Sequence, residues 1–217
     1  VFILVAGIRL FLWPVLADVH FKKGLKAVSQ IEYARAVKEF QVALNYKKEP
    51  VYYESIAKVY REMGISTKKP ERKRYYYEQS IKYYKKLLLL KPNFALGYNA
   101  LGGTCLYMGK DIGDELFYKA AIENFKKAIE LRPDFIDAYV NLATAYYLWG
   151  LKDKAVSTYL DALRKDPLST TVLFNLGMLH YLEKNYGKAE EYWKNVLEIE
   201  PENLDAKRGL KLLEERK

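Results

Sequence analysis

Apolar side chains recur along most of the chain at helical spacings. Ala36, Phe40 and Ala43, and again Ala155, Tyr159 and Ala162, stand at i, i+4 and i+7, which places each set on one face of a helix. The first seventeen residues break this rhythm, being apolar throughout except for Arg9. As a helix they would measure roughly 25 Å at 1.5 Å per residue, slightly short of a hydrocarbon core of about 30 Å. Three readings stay open for residues 1–17: the end of a transmembrane helix whose upstream part precedes Val1, an apolar helix packed on the fold, or a secretory signal cleaved after Val15-Leu16-Ala17. The first is preferred, since a span beginning before Val1 would place Arg9 away from the bilayer centre; against the signal, Arg9 interrupts the run and no basic leader is present.

A longer period lies over the helical one. Leu142, Ala143, Tyr146, Ala155, Tyr159, Ala162 and Pro167 return 34 positions later as Leu176, Gly177, His180, Ala189, Trp193, Val196 and Pro201. Earlier units repeat the pattern with extra residues inside: Leu101, Gly102 and Cys105 with Ala121, Phe125, Ala128 and Pro133, then Ile56, Ala57 and Tyr60 with Ser80, Tyr84, Leu87 and Pro92. Gly24, Ala27, Ala36, Phe40 and Ala43 form a weaker first unit. Each unit reads as two helices. A small residue in the second column (Gly24, Ala57, Gly102, Ala143, Gly177) lets the second helix approach, and a bulky residue fills the space beside it. Gly64, Gly109 and Gly150 are expected as left-handed caps of the first helices, and the prolines end the second ones.

These columns resemble the tetratricopeptide repeat (TPR) family, over residues from about 20 to 217 and most specifically over 94–203. The resemblance implies an all-α fold, a right-handed α-solenoid of helix-turn-helix repeats that binds a peptide or helix in its concave groove. The expected organisation is an apolar helix at 1–17, an array of about five repeats at 18–203 with insertions near 65–76 and 110–118, and a capping helix at 204–217 whose charged side faces solvent. An apolar helix entering Ala17-Asp18-Val19-His20-Phe21-Lys22-Lys23-Gly24-Leu25 and then such repeats also resembles the carboxy-terminal end of bacterial O-antigen ligase or polymerase-type membrane proteins. That resemblance implies attachment to the bacterial inner membrane and carries no catalytic residue over.

In such an array the first helix of each unit lines the inner surface. The groove candidates are Glu54, Lys58 and Arg61, then Asn99, then Asn141, Thr144 and Tyr147, then Phe174, Asn175, Met178 and Tyr181. Asn141 and Asn175 could bond an extended backbone, and the aromatics offer apolar contact with polar tips. A net charge of +9 raises a second class of partner, but its location is narrow. Residues 68–91 hold nine Lys/Arg against two acids, so seven of the nine net charges arise there. Lys68, Lys69, Arg72, Lys73, Arg74, Lys82, Lys85 and Lys86, interleaved with tyrosines, form a basic patch that reads first as a solvated helix face, next as a surface for lipid headgroups or another anionic partner, and last for nucleic acid.

Catalysis is not expected. One cysteine, Cys105, and two histidines, His20 and His180, 160 positions apart, give no thiolate cluster and no shared metal-ligand spacing. The stretch from Gly103 to Lys110 has five residues between its glycines where a phosphate loop has four, and Asp111 stands where Ser or Thr would hold magnesium. No cofactor or metal is foreseen. His180 shares its column with Tyr60, Cys105 and Tyr146, so a packed imidazole is expected there.

Overall fold

A computed structural model describes residues 2–215, with side chains described from Phe11 onward. The described residues form eleven helices and no strand. They fall into two compact units, Val1–Leu131 and Arg132–Lys217. The first contains α1 (Phe2–Ser29), α2 (Tyr33–Tyr46), α3 (Pro50–Ser66), α4 (Pro70–Leu90), α5 (Ala95–Ile112) and α6 (Glu115–Leu131). The second contains α7 (Ile136–Leu148), α8 (Lys152–Lys165), α9 (Thr170–Leu182), α10 (Tyr186–Ile199) and α11 (Leu204–Glu214). The fold is all-α, and within each unit consecutive helices pack as antiparallel hairpins.

The small and large columns meet across each hairpin. A methyl group added at Gly24 would strike the Phe40 ring, and one at Gly177 would strike the indole of Trp193. At Gly102 it would lie 2.7 Å from Phe125. Phe40, Phe125 and Trp193 are fully buried, so the missing side chain is the space that the ring occupies. In the α3/α4 hairpin Ser80 reaches across instead, its hydroxyl donating to the Ala57 carbonyl at 2.8 Å. Trp193 also closes the far side of its repeat, because Gly209 of α11 presents its backbone to the same indole, 2.6 Å from an added methyl. The indole N–H donates to the Phe174 carbonyl at 3.2 Å. One side chain thus joins α9, α10 and α11.

The insertions lengthen helices and do not form loops. The hairpins α3/α4 and α5/α6 have helices of 17, 21, 18 and 17 residues, whereas α7 to α10 have 13 or 14. This corrects two of the three expected caps. Gly64 and Gly109 lie inside α3 and α5, where they admit Tyr77 (2.5 Å from an added methyl) and Tyr118 (3.3 Å). Gly150 does cap α7, with φ of 82°, and Gly113 ends α5 with φ of 79°. One repeat after Gly150, Lys184 takes the same left-handed conformation without being glycine, with φ of 61°.

No break in the backbone separates residues 2–17 from the first repeat, since α1 runs from Phe2 through Pro14 to Ser29. Its inward residues Ala17, Gly24 and Ala27 are buried, and Phe21 packs on Phe40 (5.5 Å) and Tyr52 (5.0 Å). Among the described residues no helix is long and apolar enough to cross a membrane. The expected membrane segment at 1–17 lies partly outside the described side chains, which begin at Phe11. The expected capping helix corresponds to α11, and residues 216 and 217 lie outside the described ones.

Candidate functional site

In the first unit the groove candidates on α3 are engaged with one another. Glu54 pairs with Lys58 at 2.5 Å, and Arg61 reaches Glu62 at 3.5 Å. Arg61 Nε and the Tyr84 hydroxyl are buried without a hydrogen-bond partner among the described residues. Each such orphan costs about 1–3 kcal/mol, and burial pushes the Tyr84 hydroxyl up to about 12. Sequence reasoning placed Tyr84 in the core and Arg61 in the groove but gave no sign of these orphans. Asn99, on α5, is half-buried.

In the second unit the candidates are equally half-buried, and several are already committed. The Thr144 hydroxyl donates to the Val140 carbonyl at 2.8 Å and lies 3.2 Å from the Tyr159 hydroxyl. Asn175 donates to the Thr171 carbonyl one turn back at 2.7 Å. Phe174 stacks on Trp193 at 6.2 Å, Tyr181 leans on it at 5.7 Å, and Met178 packs against the same cluster. Asn141 and Tyr147 occupy the matching positions of α7. The result is a set of half-exposed aromatic and amide groups, of which those on α9 are held from below by Trp193 and by the helix backbone.

The basic patch divides when it is wound onto α4. At about 100° per residue, the buried Tyr77, Ser80, Tyr84 and Leu87 mark the inner face. Arg72, Arg74, Lys82, Lys85 and Lys86 are exposed, and Lys68 and Lys69 stand in the loop before the helix. Lys73 turns inward to Asp111 at 2.9 Å, and the Tyr77 hydroxyl donates to the same carboxylate at 2.7 Å. Burial alone would raise the Asp111 carboxyl, but the hydrogen bonds from Tyr77 and Lys73 outweigh it and hold the group below its ordinary value of 3.8. Lys68, Glu71, Lys73, Arg74 and Asp111 line a hollow of about 420 Å³ beside the first turn of α4.

The tyrosines of this stretch mostly serve packing. Tyr60 lies 6.3 Å from Tyr76 and 5.9 Å from Tyr83, Tyr53 lies 6.4 Å from Tyr83, and Tyr77 and Tyr84 are fully buried. Tyr75 alone among residues 75–77 and 83–84 is exposed. Cys105 is buried, and burial pushes its thiol up to about 12. His180 stacks on Tyr192 at 5.6 Å; burial, then the nearby Lys188, lowers its affinity for a proton. No group of three metal-ligating side chains occurs among the described residues.

Residues 118–150 match a family described as TPR repeat, and residues 136–167 and 171–203 match families described as tetratricopeptide repeat. TPR repeats are present in this chain. The solved structure of a thermophilic TPR protein from Thermus thermophilus superimposes with a TM-score of 0.66 at 19% identity, covering 91% of this chain and 98% of that one. MamA from Desulfovibrio magneticus RS-1 gives 0.66 at 17% identity over 87% and 97% of the two chains. YrrB, described as a TPR protein with an unusual peptide-binding site, gives 0.60 at 18% identity over 95% and 97%. At these identities the likeness establishes the TPR fold. A segment of 54 residues is 37% identical to the general transcriptional corepressor trfA of Dictyostelium discoideum, covering 25% of this chain and 4% of that protein.

Proposed function

We propose that the protein is a non-catalytic interaction scaffold that holds a peptide or helix of a partner protein against the first helices of its repeats. The observation that carries this reading is the row of half-exposed amides and aromatics at matching positions of α7 and α9, of which Phe174, Met178 and Tyr181 on α9 are braced on Trp193 and so ordered before any partner arrives. Pre-ordered aromatic anchors lose little conformational freedom on binding, which favours affinity. YrrB, of the same fold, is described as peptide-binding. The first unit carries candidate positions of its own, charged and polar, at Glu54, Lys58, Arg61 and Asn99.

Selection from a random peptide library tests the proposal. A recurring sequence should emerge whose affinity falls about tenfold in Asn141→Ala/Tyr147→Ala, with melting shifted by only a few degrees, and which changes little between about 50 and 200 mM salt. Failure to enrich any sequence, or full binding by the double variant, would remove the groove from consideration.

The scaffold is further proposed to be tethered to a membrane through residues 1–17. Support comes from α1 itself: Phe11, Leu12, Val15, Leu16 and Val19 are exposed on the side away from α2, while Trp13 and Ala17 face inward. A helix apolar on all sides needs an apolar medium around it. Because α1 enters the first repeat without a break, a parent of the O-antigen ligase or polymerase type is the finer form of this proposal. Finding several further apolar spans in the reading frame before Val1 would support that parent, and their absence would refute it.

A further inference from the structure

The hairpins of the first unit have two ends, and α1 assigns them different surroundings. Trp13 of α1 meets Tyr46, the last residue of α2, at 6.2 Å. Phe21 meets Tyr52 at the start of α3 (5.0 Å), and Tyr53 meets Tyr83, two thirds of the way along α4 (6.4 Å). From Tyr83 to Leu90 the chain rises about 10 Å, and from Phe21 back to Trp13 about 12 Å. The α2–α3 loop, the end of α4 and the α4–α5 loop therefore lie near the level of Trp13, where the apolar half of α1 leaves the fold. The first turn of α4, with Lys68 to Arg74, lies at the opposite end.

The end beside Trp13 carries Lys47 and Lys48 in one loop, Lys85 and Lys86 on the last turns of α4, and Lys91 in the next loop. Lys47 pairs with Glu49 at 2.6 Å, but Lys48, Lys85, Lys86 and Lys91 are exposed and have no acidic partner among the described residues. At the opposite end Arg35–Glu32 (2.8 Å), Lys73–Asp111 and Arg74–Glu78 (3.1 Å) are paired while Lys68, Lys69 and Arg72 are exposed, so the course of α1 is what distinguishes the two ends. Lys86 and Lys91 stand over the rings of Tyr83 (5.4 Å) and Phe94 (5.5 Å), and in the same stretch Leu89 is 82% exposed, with Leu90 and Leu96 also exposed. Cations without acidic partners, exposed leucines and an aromatic pair at one level suit the interface of an anionic bilayer, where aromatic side chains and basic residues collect.

We propose that this end of the first unit docks onto an anionic lipid surface through Lys48, Lys85, Lys86 and Lys91, with Leu89 and Leu90 entering the headgroup layer. The inference rests on the tether reading, because α1 is what brings this end to the membrane. It divides the basic patch of the sequence: Lys85 and Lys86 belong to the docking surface, and Lys68 to Arg74 do not.

Flotation of the full chain with vesicles tests it, using phosphatidylcholine alone and phosphatidylcholine with about 30% phosphatidylglycerol. The wild type should bind both, the anionic vesicles at least about tenfold more tightly, since each lysine near the surface adds on the order of 1 kcal/mol. The variant Lys48→Glu/Lys85→Glu/Lys86→Glu/Lys91→Glu should lose that preference and keep its binding to neutral vesicles, with unchanged helical circular dichroism. Lys68→Glu/Lys69→Glu/Arg72→Glu should keep the preference. Equal binding of the wild type to both vesicles, or loss of the preference only in the second variant, overturns the docking surface and leaves the tether standing. A wild type that binds neither vesicle, or that covers α1 in a dimer indifferent to lipid, overturns the tether and the docking together.

Discussion

At Lys184 a lysine occupies the left-handed conformation that Gly150 supplies one repeat earlier. The Cβ of an L-residue crowds the following carbonyl there at a cost of roughly 1–2 kcal/mol, which glycine avoids. Lys184→Gly should therefore stabilise the protein by about 0.5–1 kcal/mol, once the greater freedom of glycine in the unfolded chain is set against the relief, read as a higher denaturant midpoint. A loss would show that the lysine makes a contact outweighing the strain. Cys105 gives a second residue-level test. Its buried thiol, raised to about 12, should resist iodoacetamide at about pH 8 until the chain is unfolded, and rapid labelling of the native protein would contradict its burial. The pairing of small with large side chains could be read in the sequence at this scale, because Gly102 with Phe125 and Gly177 with Trp193 stand in fixed columns of the repeat. The roles of Gly64 and Gly109 could not, since glycine serves both a left-handed cap and a close approach within a helix. The rings that decide between the two, Tyr77 and Tyr118, lie at or beside the inserted residues and have no column of their own.

Among the elements, α4 departs furthest from its sequence reading. A run of charge in the chain becomes two groups at opposite ends of a helix 21 residues long. Winding also brings Asp111, noted in the sequence only as a mismatch in a failed phosphate loop, against Tyr77, 34 positions away and in an adjacent helix. The Tyr77–Asp111–Lys73 network ties the lengthened start of α4 to the end of α5. Tyr77→Phe removes a donor from a partly buried carboxylate and should cost about 1–2 kcal/mol. The pH dependence follows from the depressed Asp111 carboxyl. Its contribution is complete above the ordinary value of 3.8 and is lost as pH falls through the lower folded value. Asp111→Asn should reduce stability near neutrality and flatten its decline below about pH 4. An unchanged acid limb in that variant would show that the network contributes nothing.

Across the whole molecule one packing rule recurs, at Gly24 with Phe40, Gly102 with Phe125 and Gly177 with Trp193, and the candidate groove depends on it because the aromatics of α9 rest on Trp193. The all-α repeat fold was legible from that rule, and the candidate groove only as positions. Which of those side chains are held, as Thr144 and Asn175 are, depends on hydrogen bonds to the helix backbone that spacing does not reveal. Truncating the hub, Trp193→Ala, should cost about 3–5 kcal/mol. A sharper test uses two neighbouring glycines of α5. At Gly102 an added methyl would stand 2.7 Å from the buried Phe125 ring, whereas at Gly103 nothing lies within 4 Å. Alanine is also the better helix former by about 1 kcal/mol. Thermal unfolding of the two single variants should therefore move in opposite directions, Gly103→Ala upward by a few degrees and Gly102→Ala downward. A shift of the same sign and size in both would contradict the account of how these helices pack.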